Sequence, residues 1–256
     1  MSKGQRLLSG GILLVWAALS LGPADAPGAR PFEHGVGIED SIPTLARRIW
    51  WRSGKKILYL TLDACGGKNG SEIDEKLVEY LRKRRIRTTL FVSCRFLQDG
   101  KNEKLIKKLS KSRNFSIQNH GKNHRPALVS GETVYGIGGT DSEEGLLEEV
   151  EGCARVLAAV TGRRPRWYRS GTAHYDRRAL EIINSLGHRV AGFRLGLDDG
   201  ATLASALVRD RMLSAQDGDI LLAHVNAPRS GTRDGLIQAL EVLRKNRRVK
   251  FKILPR

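Results

Sequence analysis

Cysteine is scarce in this chain: Cys65, Cys94 and Cys153 are its only three, too few for a disulfide scaffold and odd in number, so at least one stays unpaired within a single chain. Long apolar runs are scarce too. Beyond the first two dozen residues none approaches the ~20 that span a bilayer. No segment repeats, no tract is of low complexity, and the Gly-x-Ser-x-Gly elbow of serine hydrolases does not occur. Gly136, Gly138 and Gly139 follow no strand directly and have the wrong spacing for a nucleotide fingerprint. Aromatic residues do not interleave with the basic runs, which removes the stacking platform that a single-strand nucleic-acid binder needs.

Positive charge is plentiful: 44 Lys and Arg against 27 Asp and Glu give a formal charge of +17. Such a field favours anionic partners such as cell-surface polymers. The densest basic runs, Arg82–Arg87 and Arg244–Lys252, fall at helix ends and in the closing helix and strand, so they read as solvated faces opposite the expected site. Six acids in Asp141–Glu151 read as the exposed face and first turn of a helix, where negative charge is favourable. At the start, Lys3 and Arg6 precede the apolar stretch Leu7–Leu21, followed by Gly22-Pro23 and the small-x-small triplet Ala24-Asp25-Ala26. This pattern predicts a secretory signal over residues 1–26, a leader over 27–54 and one catalytic domain over 55–256, working in the periplasm or outside the cell with no transmembrane helix once the signal is removed.

Seven runs read as strands: Ile57–Leu62, Thr88–Val92, Phe115–Gln118, Arg166–Tyr168, Arg189–Leu195, Ile220–Ala223 and Val249–Leu254. Helical periodicity fills Ser71–Ile86, Ser142–Val160, Asp176–Leu186, Thr202–Leu213 and Thr232–Arg244. Alternating β and α elements make the strands parallel, so their C-terminal ends open on one face, where such folds gather catalytic groups. The periodicity fits a barrel or an open doubly wound sheet equally well. The long stretch Arg125–Thr140 breaks the alternation and, following His124, reads as a wall of the cleft.

Strand ends carry the chemistry. His120 and His124 stand four apart and suit a divalent metal, zinc especially, or a surface pair. Asp63 precedes Ala64, Cys65 and two glycines, where a partly desolvated carboxylate can take a proton from water or cap a turn. Arg169 can hold Asp63 in a bidentate pair. His224 can donate a proton, helped by Asp198 or Asp199. Cys65 and Cys94 follow neighbouring strands and predict a bridge in an oxidising compartment, while Cys153 reads as a buried small hydrophobe.

Five ordered segments, Leu60–Ala64, Asn119–Pro126, Tyr168–Thr172, Leu197–Asp199 and Leu221–His224, resemble the motifs of the polysaccharide deacetylases, carbohydrate esterase family 4, over Lys55–Pro255. The resemblance implies an α/β fold, a distorted (β/α) barrel of about seven parallel strands, that removes N-acetyl groups from a chitin- or peptidoglycan-like polysaccharide with zinc or a similar ion. It implies Asp63 as general base, His120 and His124 as metal ligands, Arg169 orienting Asp63, His224 as general acid supported by Asp198, and the Thr172 backbone N–H at the oxyanion. Ala64 stands where the family has a third, aspartate ligand. Asp63, His174, Asp198 or Cys65 can then substitute, or the site binds metal weakly; the alternative function is a glycan-binding relative without hydrolysis.

Overall fold

The computed structural model describes residues 55–67 and 70–255; the expected signal and leader lie outside the described residues. Strand β1 (Lys56–Ala64) is buried along almost its entire length. Its side chains alternate with the period of two that a strand imposes. Leu58, Leu60, Leu62 and Ala64 enter a cluster shared with the helices, whereas Ile57 and Tyr59 enter a second cluster with Phe91, Trp167 and Tyr168. Thr61 and Asp63 have the parity of Ile57 and Tyr59, so Asp63 faces that second side. Each Leu or Ile so buried contributes about 1.5–3 kcal/mol of hydrophobic stabilisation.

From β1 the chain continues through α1 (Glu75–Lys83), β2 (Thr88–Val92), α2 (Cys94–Leu97), α3 (Gly100–Ser110) and β3 (Phe115–Asn119). A hairpin of β4 (Thr133–Val134) and β5 (Ile137–Gly138) precedes α4 (Glu143–Leu147), a π-turn (Glu148–Gly152) and α5 (Cys153–Thr161). Then follow β6 (Trp167–Tyr168), α6 (Arg177–Ser185), β7 (Arg189–Val190), β8 (Leu195–Gly196), α7 (Ser205–Ser214), β9 (Ile220–His224), α8 (Thr232–Lys245) and β10 (Val249–Phe251). The main sheet is parallel in the order β7-β6-β3-β2-β1-β9-β8, with β10 paired to the start of β1. Among the described residues no helix is long and apolar enough to cross a membrane.

The expected strand Arg189–Leu195 is two strands. β7 pairs with β6 and β8 pairs with β9, so one run supplies both ends of the sheet order. The Ala191 N–H still donates to Tyr168, whereas the Arg194 N–H already donates to Ile220. Within three residues the run leaves one edge and joins the other, which makes the barrel distorted.

The helices also depart from expectation. Asp74 accepts the Leu77 N–H at 3.0 Å, so α1 begins at Glu75 rather than at Ser71. Helix α3, capped by Asp99, was hidden by its lysines, with only Ile106 and Leu109 as buried apolar positions. The expected helix Ser142–Val160 is interrupted by the π-turn, and within the acidic run Glu149 is buried, not exposed.

The disulfide joins Cys94 to Cys153, with Cα atoms 5.6 Å apart, and Cys65 is free. Parity explains the correction. Cys94 opens α2 against the helix-side cluster, where Cys153 lies, while Cys65 continues the alternation of Asp63. Cys65 and Cys94 therefore sit on opposite sides of the sheet.

Candidate active site

The C-terminal ends of β1 and β9, with the loops after β3, β6 and β8, surround a cleft of about 970 Å³ lined by Asp63, Cys65, His124, Thr172 and His224. The expected wall, Arg125–Thr140, contributes Tyr135 and Ile137 from its hairpin. Tyr135, at the hairpin tip, is 77% exposed and meets the His174 ring edge-on at 5.5 Å.

Arg169 is fully buried and distributes its donors widely. Its Nη1 reaches Asp63 Oδ1 at 2.8 Å and Thr61 Oγ1 at 3.0 Å; Nε and Nη2 donate to the Ala191 and Gly192 carbonyls in the break between β7 and β8. The pair with Asp63 is thus single, not bidentate, because the other donors close the barrel. The guanidinium also lies 4.3 Å from the Phe91 ring centroid. Burial alone would raise the Asp63 pKa, but the charge of Arg169, with His120 and His224, more than offsets it and holds the carboxyl below its ordinary value.

His120 is oriented from behind. Its Nδ1 lies 2.9 Å from the Arg169 carbonyl, which can only accept, so Nδ1 donates there and Nε2 is turned toward Asp63 and Cys65. Nε2 stands 3.6 Å from Asp63 Oδ2 and 3.7 Å from Cys65 Sγ. The His124 Nε2 is buried with no hydrogen-bond partner. One ligand atom each from Cys65, His120 and His124 lie within 4.8 Å of one another. A clustered sulfur and two nitrogens, one buried nitrogen lacking a partner, fit a divalent ion.

His124 has a left-handed backbone, φ 59°, held by its neighbours. A methyl on Gly171 would overlap the His124 carbonyl, so only glycine lets these loops meet. Glu149 accepts the backbone N–H groups of Asn123 and Arg125 at 2.8 and 3.0 Å, while its carbonyl accepts that of Lys122. Burial pushes its carboxyl up despite those bonds.

On the far side of the cleft, His224 Nδ1 meets Asp198 Oδ1 at 2.9 Å, and Asp198 Oδ2 accepts from the His224 N–H and Thr232 Oγ1, both at 2.8 Å. Burial disfavours the imidazolium, but Asp198 raises the His224 pKa well above its ordinary value. Asp199 turns away to Arg211. Crowding opposes ionisation of the Cys65 thiol, yet His124 and His120 hold it well below the ordinary thiol value.

Asp63, His120, His124, Arg169, Asp198, Thr172 and His224 thus converge. The Thr172 N–H makes no hydrogen bond among the described residues. His174 bonds to the Thr172 carbonyl, Asp198 serves His224 and Asp63, though 3.6 Å from His120, is paired with Arg169, so of the substitutes for the missing ligand only Cys65 groups with both histidines among the described residues. Sequence reasoning missed Thr61, Thr232 and Glu149. Strand parity with Asp63 signals Thr61; Thr232 has no signal, and Glu149 hides in an acidic run.

The sequence model described as polysaccharide deacetylase matches residues 52–191, more than half of the chain. No curated protein matches the sequence. Among solved structures, the Bacillus subtilis family 4 carbohydrate esterase PdaA aligns with a TM-score of 0.62 at 23% identity, over 78% of this chain and 80% of that one. A family 4 carbohydrate esterase from Streptomyces lividans, in complex with acetate, gives 0.63 at 15%, over 78% and 93%. A family 4 pseudoenzyme from Bacillus anthracis gives 0.63 at 19%, over 78% of this chain but 64% of its own length. These likenesses show the fold, and the family match together with the five motifs establishes membership: the chain belongs to the polysaccharide deacetylase family of carbohydrate esterases.

Proposed function

We propose that the protein is a secreted, metal-dependent hydrolase that removes N-acetyl groups from a polysaccharide of chitin or peptidoglycan type. The observation that carries this reading is the convergence of Asp63, paired with Arg169, and His224, paired with Asp198, on one cleft that also holds His124, with His120 beside it. Secretion rests on the basic, apolar and small-x-small pattern over residues 1–26. Anionic cell-surface polymers suit the basic surface.

His120 and His124 would hold a divalent ion, zinc foremost, which when bound supplies positive charge to polarise the acetyl carbonyl. Asp63, steadied by Arg169, takes a proton from the attacking water, and the water oxygen bonds to the carbonyl carbon. The Thr172 N–H receives the developing oxyanion. As the C–N bond breaks, His224 gives its proton to the departing amine, and Asp198 stabilises the imidazolium until that moment.

Acetate release from acetylated chitin oligomers and peptidoglycan fragments tests the reading. The wild type releases acetate, while Asp63→Asn and His120→Ala lose about 100-fold or more of that activity, the scale of a general base. Full activity in both variants overturns the assignment. A second reading is favoured by Ala64, which offers no ligand, and by the likeness to a pseudoenzyme: a glycan-binding protein without hydrolysis. Glycan binding with no acetate released and no metal bound would establish it.

A further inference from the structure

The cleft contains a thiol that the hydrolytic steps do not use. Cys65 is the free cysteine of the described residues, because Cys94 and Cys153 are joined on the other side of the sheet. The alternation of β1 sets its direction. Odd positions from Ile57 to Asp63 face the inner side, and Cys65 continues that parity, whereas Ala64 is packed in the helix-side cluster with Leu60 and Leu62. Ala64 thus offers only a methyl, packed in that cluster, while the Cys65 sulfur faces His120.

Two observations point to a ligand there. The His124 Nε2 is buried with no partner, a costly state for a polar nitrogen unless something binds it. The His120 Nε2 faces the same space, 3.7 Å from Cys65 Sγ, because the ring is held by its Nδ1 contact with the Arg169 carbonyl. One ligand atom from each of the three side chains lies within 4.8 Å of the other two, so one small ion can meet all three.

We propose that Cys65 completes a Cys-His-His metal centre with His120 and His124, and that its sulfur makes this centre selective for thiophilic ions such as Zn²⁺, Co²⁺ and Cd²⁺ over Mg²⁺ and Ca²⁺. The proposal rests on the metal-dependent reading above and deepens it by naming the third ligand and the class of ion. Thiolate ligands favour zinc-like ions, whereas hard ions prefer sites made of oxygen.

The test is metal binding by the full-length chain, stripped with chelator and titrated with Co²⁺. Wild type is expected to bind one equivalent with a near-ultraviolet sulfur-to-cobalt charge-transfer band, to yield it to Cd²⁺ and to retain it against excess Mg²⁺ or Ca²⁺. Cys65→Ser loses the band and binds by about 100-fold more weakly, at least the upper cost of losing an outer-sphere partner. Cys65→Asp binds without the band. Bound metal protects Cys65 from iodoacetamide.

Cobalt binding without the band, or alkylation unaffected by metal, overturns Cys65 as a ligand and leaves the deacetylase reading standing. No binding of any ion by wild type overturns the centre and points to a metal-free thiol. A band-bearing cobalt protein whose zinc form releases no acetate from any acetylated glycan keeps the centre and sinks the deacetylase reading instead. The wild-type spectrum decides even where a variant fails to fold.

Discussion

A single guanidinium connects the chemistry to the architecture. Arg169 neutralises Asp63, supports Thr61 and satisfies two carbonyls where the barrel closes, all without contact with solvent. Arg169→Met leaves a buried carboxylate unpaired and should cost about 3–5 kcal/mol, read from the urea midpoint. The Asp198–His224 pair has its own pH signature. Burial opposes the Asp198 charge but His224 and Thr232 lower its pKa, so its stabilisation is present above an unfolded value of about 3.9 and is lost as pH falls through the depressed folded value. His224, raised by Asp198, contributes fully below about 6.5 and loses its contribution as pH rises through the elevated folded value. In chelated protein the stability gap between wild type and Asp198→Asn is therefore greatest between about pH 4 and 6.5 and narrows on both sides. A constant gap in urea midpoint across pH contradicts this.

Among the elements, the π-turn does what a regular helix could not. It turns Glu149 toward the loop that carries His120 and His124 and leaves the Val150 carbonyl to accept from Asn119 at 2.8 Å. Glu149→Gln removes one carboxylate acceptor and should weaken metal binding about 10–100-fold, measured by competition with a chromogenic chelator. The same turn leads directly into Cys153, whose bond to Cys94 spans 59 residues; opening it should cost about 4 kcal/mol by the loop-entropy relation, read as a lower urea midpoint in Cys153→Ala. Little of this was legible in the sequence. Strand β2 matched its expected bounds, and β1 and β9 extended theirs to the catalytic ends, because continuous apolar runs between turn residues mark buried parallel strands. The motifs brought Asp63, His124, Thr172 and His224 to one cleft, with His120, Arg169 and Asp198 buried behind them. By contrast, the split at residues 191–194 depends on Arg169 from elsewhere in the chain, and the disulfide depends on which side of the sheet each cysteine faces. Neither is a local property.

At the scale of the whole molecule, parallel strands give the barrel two unlike ends. The cleft occupies one; at the other, Lys55, Arg85, Arg87, Arg247, Lys250 and Lys252 line a groove where the strands begin. None of these six has an acidic partner among the described residues, and Glu241 nearby is shared by Arg84 and Arg244. Reversing Arg85 and Lys250 to Glu should lower the salt needed to elute the protein from a polyanion column, with acetate release from a soluble oligomer unchanged. Catalytic failure in that double variant would show that the two ends are coupled. The six cations of this groove form a positive pole on the side away from the mouth. On an anionic wall it would land pole first, with the mouth held outward toward neighbouring strands that carry no charge.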